Sequence, residues 1–359
     1  LGIRWKLGKV NIGPSINLQT IDINNRFAKN APIDQNFNFI LPSLTIQWPA
    51  FNFNYRVYAQ EPNVNDLQPV QDNTNPLFIQ LGNPSLVPAI THSLGLNFYK
   101  YDQKRLLSYN AYVSGNISDD AVIRERTVSP TGVQVSSPLN IDGIWSFYGN
   151  GNIRKQIKLI NSWQMSFSGG FNANYNRSVI IVNKLRSNQE NISLQPSASL
   201  AFNYKDIFEV SQRYSPMWNR SKYDNPIYPG LEVIRHTASS EVVVRLPKHW
   251  VWESTVDYFY NPQVAPGIGK SNFRWNAAVN FLFLKDDKGQ LKLSVYDLLN
   301  QNISVSRTVR ENYIQDFQSV VLQRYFLLTF TYNIRNFAGP KVGGRQSDVF
   351  RGDVRIAKA

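Results

Sequence analysis

The sequence contains no cysteine, and this absence removes several kinds of chemistry. A disulfide framework, a thiolate metal site and a cysteine nucleophile all need a thiol, so none of them is available. Histidine is scarce as well, because His92, His236 and His249 are the only three and lie far apart in the chain. The composition therefore predicts no histidine-rich zinc site, and we expect neither a bound metal nor a cofactor.

Long apolar runs are also missing. No stretch of about 18 consecutive apolar residues occurs, so the sequence predicts no membrane-spanning helix. The opening residues, LGIRWKLGKV, read as strand and turn and not as a signal peptide. If the protein is exported, we expect its N-terminal part to be missing from this sequence.

Catalytic motifs are absent too. The sequence has no GxSxG, no HExxH and no phosphate-binding loop, and the glycine-rich YGNGN at 148–152 lies where a strand is expected to meet a turn. We predict that the protein is not an enzyme.

The formal net charge of +13 raises the question of nucleic-acid binding, but the basic residues are scattered and form no dense tract. We expect no nucleic-acid partner.

What the sequence does contain is a period of two along almost its whole length. Between Ser162 and Asn176, aromatic and apolar residues alternate with serine, glutamine and asparagine, and the same alternation runs from Arg324 to Ile334. Side chains of a strand alternate between its two faces, so each such segment has one apolar and one polar face. Helical periodicity is weak throughout. The pattern predicts an all-β chain.

The pattern gives about fifteen strands, many with 10 or more residues, the length that tilted strands need to cross a bilayer. Their connections alternate between short and long. We predict short turns at 6–9, 47–50, 101–104, 152–156, 204–206, 247–249 and 286–289. We predict long polar connections at 25–36, 60–90, 118–138, 177–190, 220–232, 262–271 and 299–319. A transmembrane antiparallel β-barrel has this alternation, with short periplasmic turns and long outer loops.

In this interpretation the apolar face meets lipid and the polar face lines the interior. Aromatic residues near predicted strand ends, such as Trp250 and Trp252, are typical of the interfacial girdles of a barrel. The other interpretation is a soluble β-protein whose aromatic residues fill a central core. The amount of asparagine, serine and glutamine on the opposite face favours the barrel.

Strand direction predicts that this chain does not close a barrel alone. The last strand follows a long loop and runs toward the periplasm, and counting back gives the first strand the same direction. Two strands of one direction cannot close a barrel by antiparallel pairing. We therefore expect further strands upstream, so that this chain is the C-terminal portion of a larger barrel. A miscount by one strand is the alternative.

Two segments resemble known outer-membrane proteins. GNPSLVPAITHSLGLNFYKYD at 82–102 is similar to a segment of TonB-dependent receptors, although Ala89 and Ile90 replace the usual acidic position. The segment at 291–334, with VYDLLNQN and then RYFLLTFTYNI, resembles the closing part of the outer-membrane β-barrel family common in Bacteroidota. Together the resemblances cover residues from about 50 to 335.

The resemblance implies a barrel of about 22 strands. It also implies an N-terminal plug domain and a TonB contact, and neither of these N-terminal parts lies in this sequence. It assigns 1–335 to a partial outer-membrane barrel. The remaining residues, 336–359, are rich in glycine and charge, and we expect a flexible periplasmic tail. The partners expected are the bilayer, the TonB complex, the plug and an accessory surface lipoprotein.

Charged residues also fall on the predicted interior face. They are Glu209, Arg213, Glu241, Arg245, Glu253 and Asp257. If the turn at 247–249 pairs its strands symmetrically, Arg245 faces Glu253 and Glu241 faces Asp257. A cation is then expected between the two facing carboxylates, and Arg213 is a candidate for it. This charge wall either docks a plug or polar ligand, or forms a structural ladder inside a water-filled barrel.

The loop at 60–90 is expected to contact the ligand. His92, which starts the next strand, is expected to be a residue of the barrel rim.

Three functions fit these features. The first is TonB-coupled uptake of an unidentified ligand through the barrel. The second is a TonB-independent barrel with a structural, assembly or secretion role. The third is a soluble or surface β-protein that binds glycans. The sequence upstream would distinguish the first two, because import requires a plug and a TonB box.

Overall fold

The computed structural model describes residues 1–26, 32–69, 71–72, 74–205, 207–247, 249–264, 266–267, 269–302, 304–309, 314–319 and 322–333. The strands are β1 (Trp5–Leu7), β2 (Val10–Asn25), β3 (Ile33–Trp48), β4 (Phe51–Gln60), β5 (Phe78–Gln80), β6 (Ala89–Asp102), β7 (Leu107–Asp119), β8 (Ala121–Val128), β9 (Gln134–Ile141), β10 (Ile144–Lys158), β11 (Trp163–Val182), β12 (Leu185–Tyr204), β13 (Phe208–Tyr223), β14 (Leu231–Leu246), β15 (Trp250–Tyr260), β16 (Ser271–Phe283), β17 (Gly289–Tyr296), β18 (Ser304–Val309), β19 (Ile314–Ser319) and β20 (Tyr325–Tyr332). One short helix, α1 (Val64–Leu67), and two 3₁₀ turns complete the described elements. The predicted tail at 336–359 lies outside the described residues.

Fifteen strands form one antiparallel meander, in agreement with the predicted number. In order of pairing they are β1, β2, β3, β4, β6, β7, β10, β11, β12, β13, β14, β15, β16, β17 and β20. Since fifteen strands alternate in direction, β1 and β20 run the same way. The described pairings include none between these two edge strands. The predicted total of about 22 strands stays a prediction.

The connections confirm most of the predicted alternation, with two errors. The turn predicted at 152–156 is wrong, because β10 continues to Lys158 and the chain turns at Ile160–Ser162. The long loop predicted at 177–190 is also wrong. There β11 and β12 form a continuous hairpin joined only by Asn183 and Lys184, which both have positive φ, as a tight hairpin turn requires. Polar residues there suggested a loop, but they belong to paired strands.

The two faces of the sheet differ as the alternation predicts. On one face phenylalanine and leucine remain exposed, with Phe171 at 51% and Leu328 at 64% of their surface. The large exposed apolar side chains are therefore not packed into a central dry core, so the soluble interpretation is wrong. An apolar face of this extent on long antiparallel strands is the lipid-facing surface of a membrane barrel.

Aromatic pairs lie near both ends of this lipid face. Trp163 packs on Tyr204 near the short turns, and Trp145 packs on Tyr175 toward the long connections. Trp163 and Tyr175 are twelve positions apart on β11, or about 40 Å of strand, which gives about 30 Å along the membrane normal at a tilt of about 40°. This spacing matches the hydrocarbon thickness between two interfacial girdles.

The β2–β3 hairpin exchanges its faces toward the long-connection end. In β2, Leu18 is 70% exposed, whereas Ile21, on the opposite face, is 7% exposed. β3 makes the same exchange, with Ile40 at 71% and Leu41 at 5%. Because faces alternate with period two, an apolar pattern that moves from one parity to the other marks where lipid contact ends.

Beyond that point the strands have an apolar core of their own. Its buried residues are Ile21, Ile23, Ile33, Leu41, Val57, Ala59, Leu67 and Leu86. β3 and β4 separate where this core begins, since the last pair between them is Ser43 with Arg56. Leu67 from α1 and Leu86 from the connection before β6 enter the space and are 1% and 0% exposed. We call this group the outer core.

Polar side chains hold the segment around Leu86 in place. The Asn83 Nδ2 atom donates to the Pro138 carbonyl at 3.0 Å, and Asn140 donates to the Val87 carbonyl at 2.9 Å. The Asn140 Oδ1 atom also accepts from the Val87 backbone N–H at 3.0 Å. A Cβ at Gly82 would overlap the carbonyl oxygen of Gln68, so only glycine fits there. Part of the receptor-like segment at 82–102 thus closes the outer core.

Candidate functional site

The six predicted charged residues lie on one face of consecutive strands. Glu209 and Arg213 are on β13, Glu241 and Arg245 on β14, and Glu253 and Asp257 on β15. Paired residues of adjacent strands share a face, and the register places all six opposite to the lipid side. The structure therefore brings the predicted charge wall together on the lumen side.

The pairing predicted inside this wall is wrong. Leu246 pairs with Trp250, so the connection closes after three residues and the register moves by two positions. Glu253 then lies opposite Val243, and Asp257 lies opposite Ser239. A shift by two keeps every side chain on its predicted face, because the faces alternate with period two. The set of residues is thus as predicted, but their partners are not.

Glu253 belongs to a buried polar network that sequence reasoning missed. Its Oε2 atom lies 2.7 Å from Lys292 Nζ on β17, and its Oε1 atom accepts a hydrogen bond from Asn280 at 2.9 Å. Gln290 donates to Asn280 at 2.8 Å, so the amide of this 1%-exposed asparagine is bonded at both ends. Ala278 pairs with Glu253 on the intervening strand, and its small side chain leaves room for the Glu253–Lys292 contact. We call these four polar residues the lumen network.

Asp257 has a different cation from the one expected. Arg274, its direct neighbour on β16, donates to Asp257 Oδ2 at 2.9 Å and 3.3 Å, and the Ser239 hydroxyl donates to Oδ1 at 2.7 Å. Among the described residues, Arg213 makes no ion pair, so its predicted neutralising role is wrong. The alternation placed Arg274 on the polar face, but only the register makes it the partner of Asp257.

Two carboxylates of the wall differ from the others. Within the described part of the chain, Glu209 and Glu241 form no hydrogen bond and no salt bridge. Glu241 pairs with Ser211 and Thr255, so Glu209, Glu253 and Asp257 are its diagonal neighbours, about 7 Å away. No group of three or more potential ligands in the described residues could hold a metal ion. These two side chains therefore present negative charge to the aqueous interior.

Because Glu241 has no bonding partner in the described chain, we expect Glu241→Ala to leave folding nearly intact. The change in the free energy of unfolding should stay within about 1 kcal/mol. Urea titration of the protein in lipid vesicles measures this change, and the mobility shift between heated and unheated samples reports the folded barrel. Loss of the folded form would contradict the assignment.

Toward the long connections, His92 lies near the start of β6 and its Nδ1 is 2.8 Å from the Tyr55 hydroxyl. This position agrees with the rim assignment.

A second apolar cluster lies near the β11–β12 turn, where Ile180 and Val182 contact Tyr228. We call this group the hairpin core. Among the described residues, no helix is long and apolar enough to span a membrane.

Asp224 stabilises the connection that follows β13. It accepts hydrogen bonds from the Ser187 hydroxyl at 2.7 Å and the Asn188 backbone N–H at 2.8 Å. The Ser187 bond, followed by the Asn188 bond, holds the pKa of Asp224 below its ordinary value of 3.8. A carboxyl with a lowered folded-state pKa stabilises the fold above its unfolded pKa, and this contribution is lost as the pH falls through the folded value.

We therefore expect residues 224–230 to lose amide-exchange protection as the pH is lowered from about 5 to about 3. Asp224→Asn cannot ionise, so its protection at neutral pH should be reduced and should change little over this range. Hydrogen exchange, corrected for intrinsic rates, measures both profiles. Identical pH profiles for the two proteins would rule out this role of Asp224.

The family model that matches this chain agrees with the sheet described above. The model of the outer membrane protein beta-barrel family matches residues 16–218 and 183–332. No curated protein is similar enough to count as a match. One similar solved structure is titled TodX deltaS2S3 mutant monoaromatic hydrocarbon channel. It is 9% identical, and the alignment covers 90% of each chain with a TM-score of 0.29.

Proposed function

Because the chain belongs to the outer membrane β-barrel family and resides in the bacterial outer membrane, we propose that it forms the wall of a ligand importer. Its outer connections would capture a ligand, which then passes along the polar face of the barrel. The energy would come from TonB, acting on a plug domain that occupies the lumen. No catalytic role is proposed.

The observation that carries this proposal is the charged lumen wall. Two carboxylates of this wall, Glu253 and Asp257, are neutralised by ion pairs with Lys292 and Arg274. Glu209 and Glu241 are left without a bonding partner in the described chain, which suits contacts with a second, basic surface or a polar ligand. We propose that this surface is the plug. The outer core packs the long connections together on the side where the ligand would arrive.

Conductance separates this proposal from its rivals. The native protein, purified from outer membranes, is inserted into planar bilayers and measured before and during exposure to about 4 M urea, which unfolds a plug domain before a barrel. A plugged importer should conduct little at first and then open reversibly. A large conductance without urea would indicate a TonB-independent channel, and none in either state would favour the assembly or secretion role.

The same preparation tests the TonB partnership directly. The purified periplasmic domain of TonB should bind the native protein, and deletion of the TonB box should abolish this binding without altering the urea-dependent conductance. An accessory surface lipoprotein would copurify with both forms. Absence of TonB binding to the native protein would exclude energy-coupled import.

A further inference from the structure

The short turns of three neighbouring hairpins bring basic residues together at one end of the sheet. The hairpins are β6–β7, β10–β11 and β12–β13, and they follow one another because β7 pairs with β10 and β11 pairs with β12. Their turns and adjoining strand ends lie in segments 100–107, 153–163 and 204–207, which hold seven basic residues and two aspartates. The basic residues are Lys100, Lys104, Arg105, Arg154, Lys155, Lys158 and Lys205. We call these seven residues the basic rim.

A large share of the chain's net charge lies in these three segments. They carry five of its 13 excess positive charges, whereas the turn segment 284–289 balances two lysines with two aspartates. The three hairpins comprise six adjacent strands, which at about 4.8 Å between neighbours extend over about 24 Å. The basic residues look scattered in the sequence, and the sheet brings them to one stretch of the barrel end.

Most cations of the basic rim have no carboxylate partner in the described chain. Asp102 lies 3.7 Å from Arg105, whose side chain is 75% exposed. The Lys155 ammonium donates to the Arg105 carbonyl, which joins the β10–β11 hairpin to the β6–β7 turn. The exposed cations with neither a hydrogen bond nor an ion pair among the described residues are Lys100, Lys104, Arg154 and Lys158. Their charge is therefore available to an external anion.

Two lysines of the basic rim lie on the lipid face. Lys100 shares its face of β6 with Leu96, which is 37% exposed. Lys155 pairs with Phe167, which is 42% exposed on the same face. Both lysines are close to the β6–β7 turn, since β6 ends two positions after Lys100 and Lys155 pairs with Leu107, the first residue of β7. A lysine in this position can lay its apolar stem along the lipid face and place its ammonium among lipid headgroups.

A third lysine lies at the aromatic girdle. Lys205 follows Tyr204, whose ring packs on Trp163 with 4.9 Å between the ring centroids. The Lys205 Nζ atom is 5.3 Å from the centroid of the Tyr204 ring, within the range of a cation–π contact. Aromatic side chains settle at the boundary between membrane and water, so this ammonium lies at the level of the headgroups. Short turns of a barrel face the periplasm, which places the basic rim at the periplasmic leaflet.

We propose that the basic rim binds the phosphate groups of anionic glycerophospholipids in the periplasmic leaflet. Phosphate complements the ammonium and guanidinium charges, and each basic residue near an anionic headgroup strengthens binding about 5-fold. A soluble acidic partner would not require cations on the lipid face, where Lys100 and Lys155 lie. The inference does not depend on import, because it needs only a barrel in this membrane.

Native mass spectrometry of the detergent-solubilised native protein measures the binding of single lipids. The two probes are dioleoylphosphatidylglycerol, which is anionic, and dioleoylphosphatidylcholine, which has the same acyl chains and no net charge. The native protein should bind the anionic lipid at least about 5-fold more tightly. This preference should decrease when ammonium acetate is raised from about 0.1 M to about 0.5 M, because salt screens exposed charges.

A double variant then locates the binding. Lys100→Gln combined with Lys205→Gln should weaken the anionic lipid about 5-fold or more and leave the neutral lipid unchanged. Neither lysine has an ion pair within the described chain, so the fold should be retained, and the mobility shift between heated and unheated samples verifies this. Lys285→Gln combined with Lys288→Gln is the matched control, because it removes two lysines from the charge-balanced turn at the same end of the barrel.

A preference for the anionic lipid that the basic-rim variant loses and the control variant keeps supports the proposal. Equal binding of the two lipids by the native protein would overturn it, as would an equal loss in both double variants. Polyglutamate serves as a soluble competitor. If polyglutamate binds more tightly than the anionic lipid and the basic-rim variant loses that binding, the basic rim belongs to an acidic macromolecule and the proposal is wrong.

Discussion

Glu253→Ala should cost about 3–5 kcal/mol in the free energy of unfolding, the cost of breaking a buried ion pair from one side. The substitution removes the carboxylate from Lys292 and the acceptor from Asn280, which is 1% exposed. The part-buried ammonium of Lys292 and the buried amide of Asn280 then lose their charged acceptor. The barrel should unfold at a clearly lower urea concentration.

Glu241→Ala supplies the matched control for this measurement. Both substitutions remove a glutamate from the same lumen face, but only Glu253 has bonding partners among the described residues. Urea titration of the two variants in the same vesicles compares their free energies of unfolding. The difference between them is the contribution of the bonds in the lumen network, because both variants lose one negative charge. Equal destabilisation would show that burial of the charge, and not its bonding, decides stability.

Leu86→Ala should also lower the free energy of unfolding by a large amount. Leu86 is 0% exposed in the outer core, so its truncation removes packed surface and leaves a cavity, which costs about 2–5 kcal/mol. The outer core lies beyond the lipid-facing band, so we expect the loss to appear locally. Amide exchange should rise in 61–88 and 121–141, while β11–β17 keep their protection.

Leu77→Ala is the control for this experiment. Leu77 belongs to the same connection but is 52% exposed, and its truncation removes little packed surface. Its exchange pattern should resemble that of the unmodified protein. Loss of protection throughout β11–β17 in Leu86→Ala would show that the outer core is part of one cooperative unit with the membrane sheet.

Particular residues show how far sequence reasoning reached. The alternation predicted that Glu209, Glu241, Glu253 and Asp257 share the lumen face, and the register places all four on the face opposite to the exposed apolar side chains. It did not find Lys292 as the partner of Glu253, because the two are separated by a whole strand. It also missed the hairpin at 177–190, where polar composition favoured a loop.

The pairing of β5 with β9 could not be predicted for a related reason. Phe78 and Gln134 stand in two different segments that were each predicted to be a long connection. The structure pairs them in parallel. Parallel contacts between distant connections leave no local pattern in a sequence.

The strands, their two faces and hence a membrane barrel follow from the amino-acid pattern, because side-chain alternation is a local property with a fixed period. The pairs of charges that meet, the point where the β2–β3 hairpin leaves the lipid and the core of the outer connections follow only from the folded chain. These depend on register and on contacts between distant segments, and a shift of two residues changes every partner while leaving the alternation untouched.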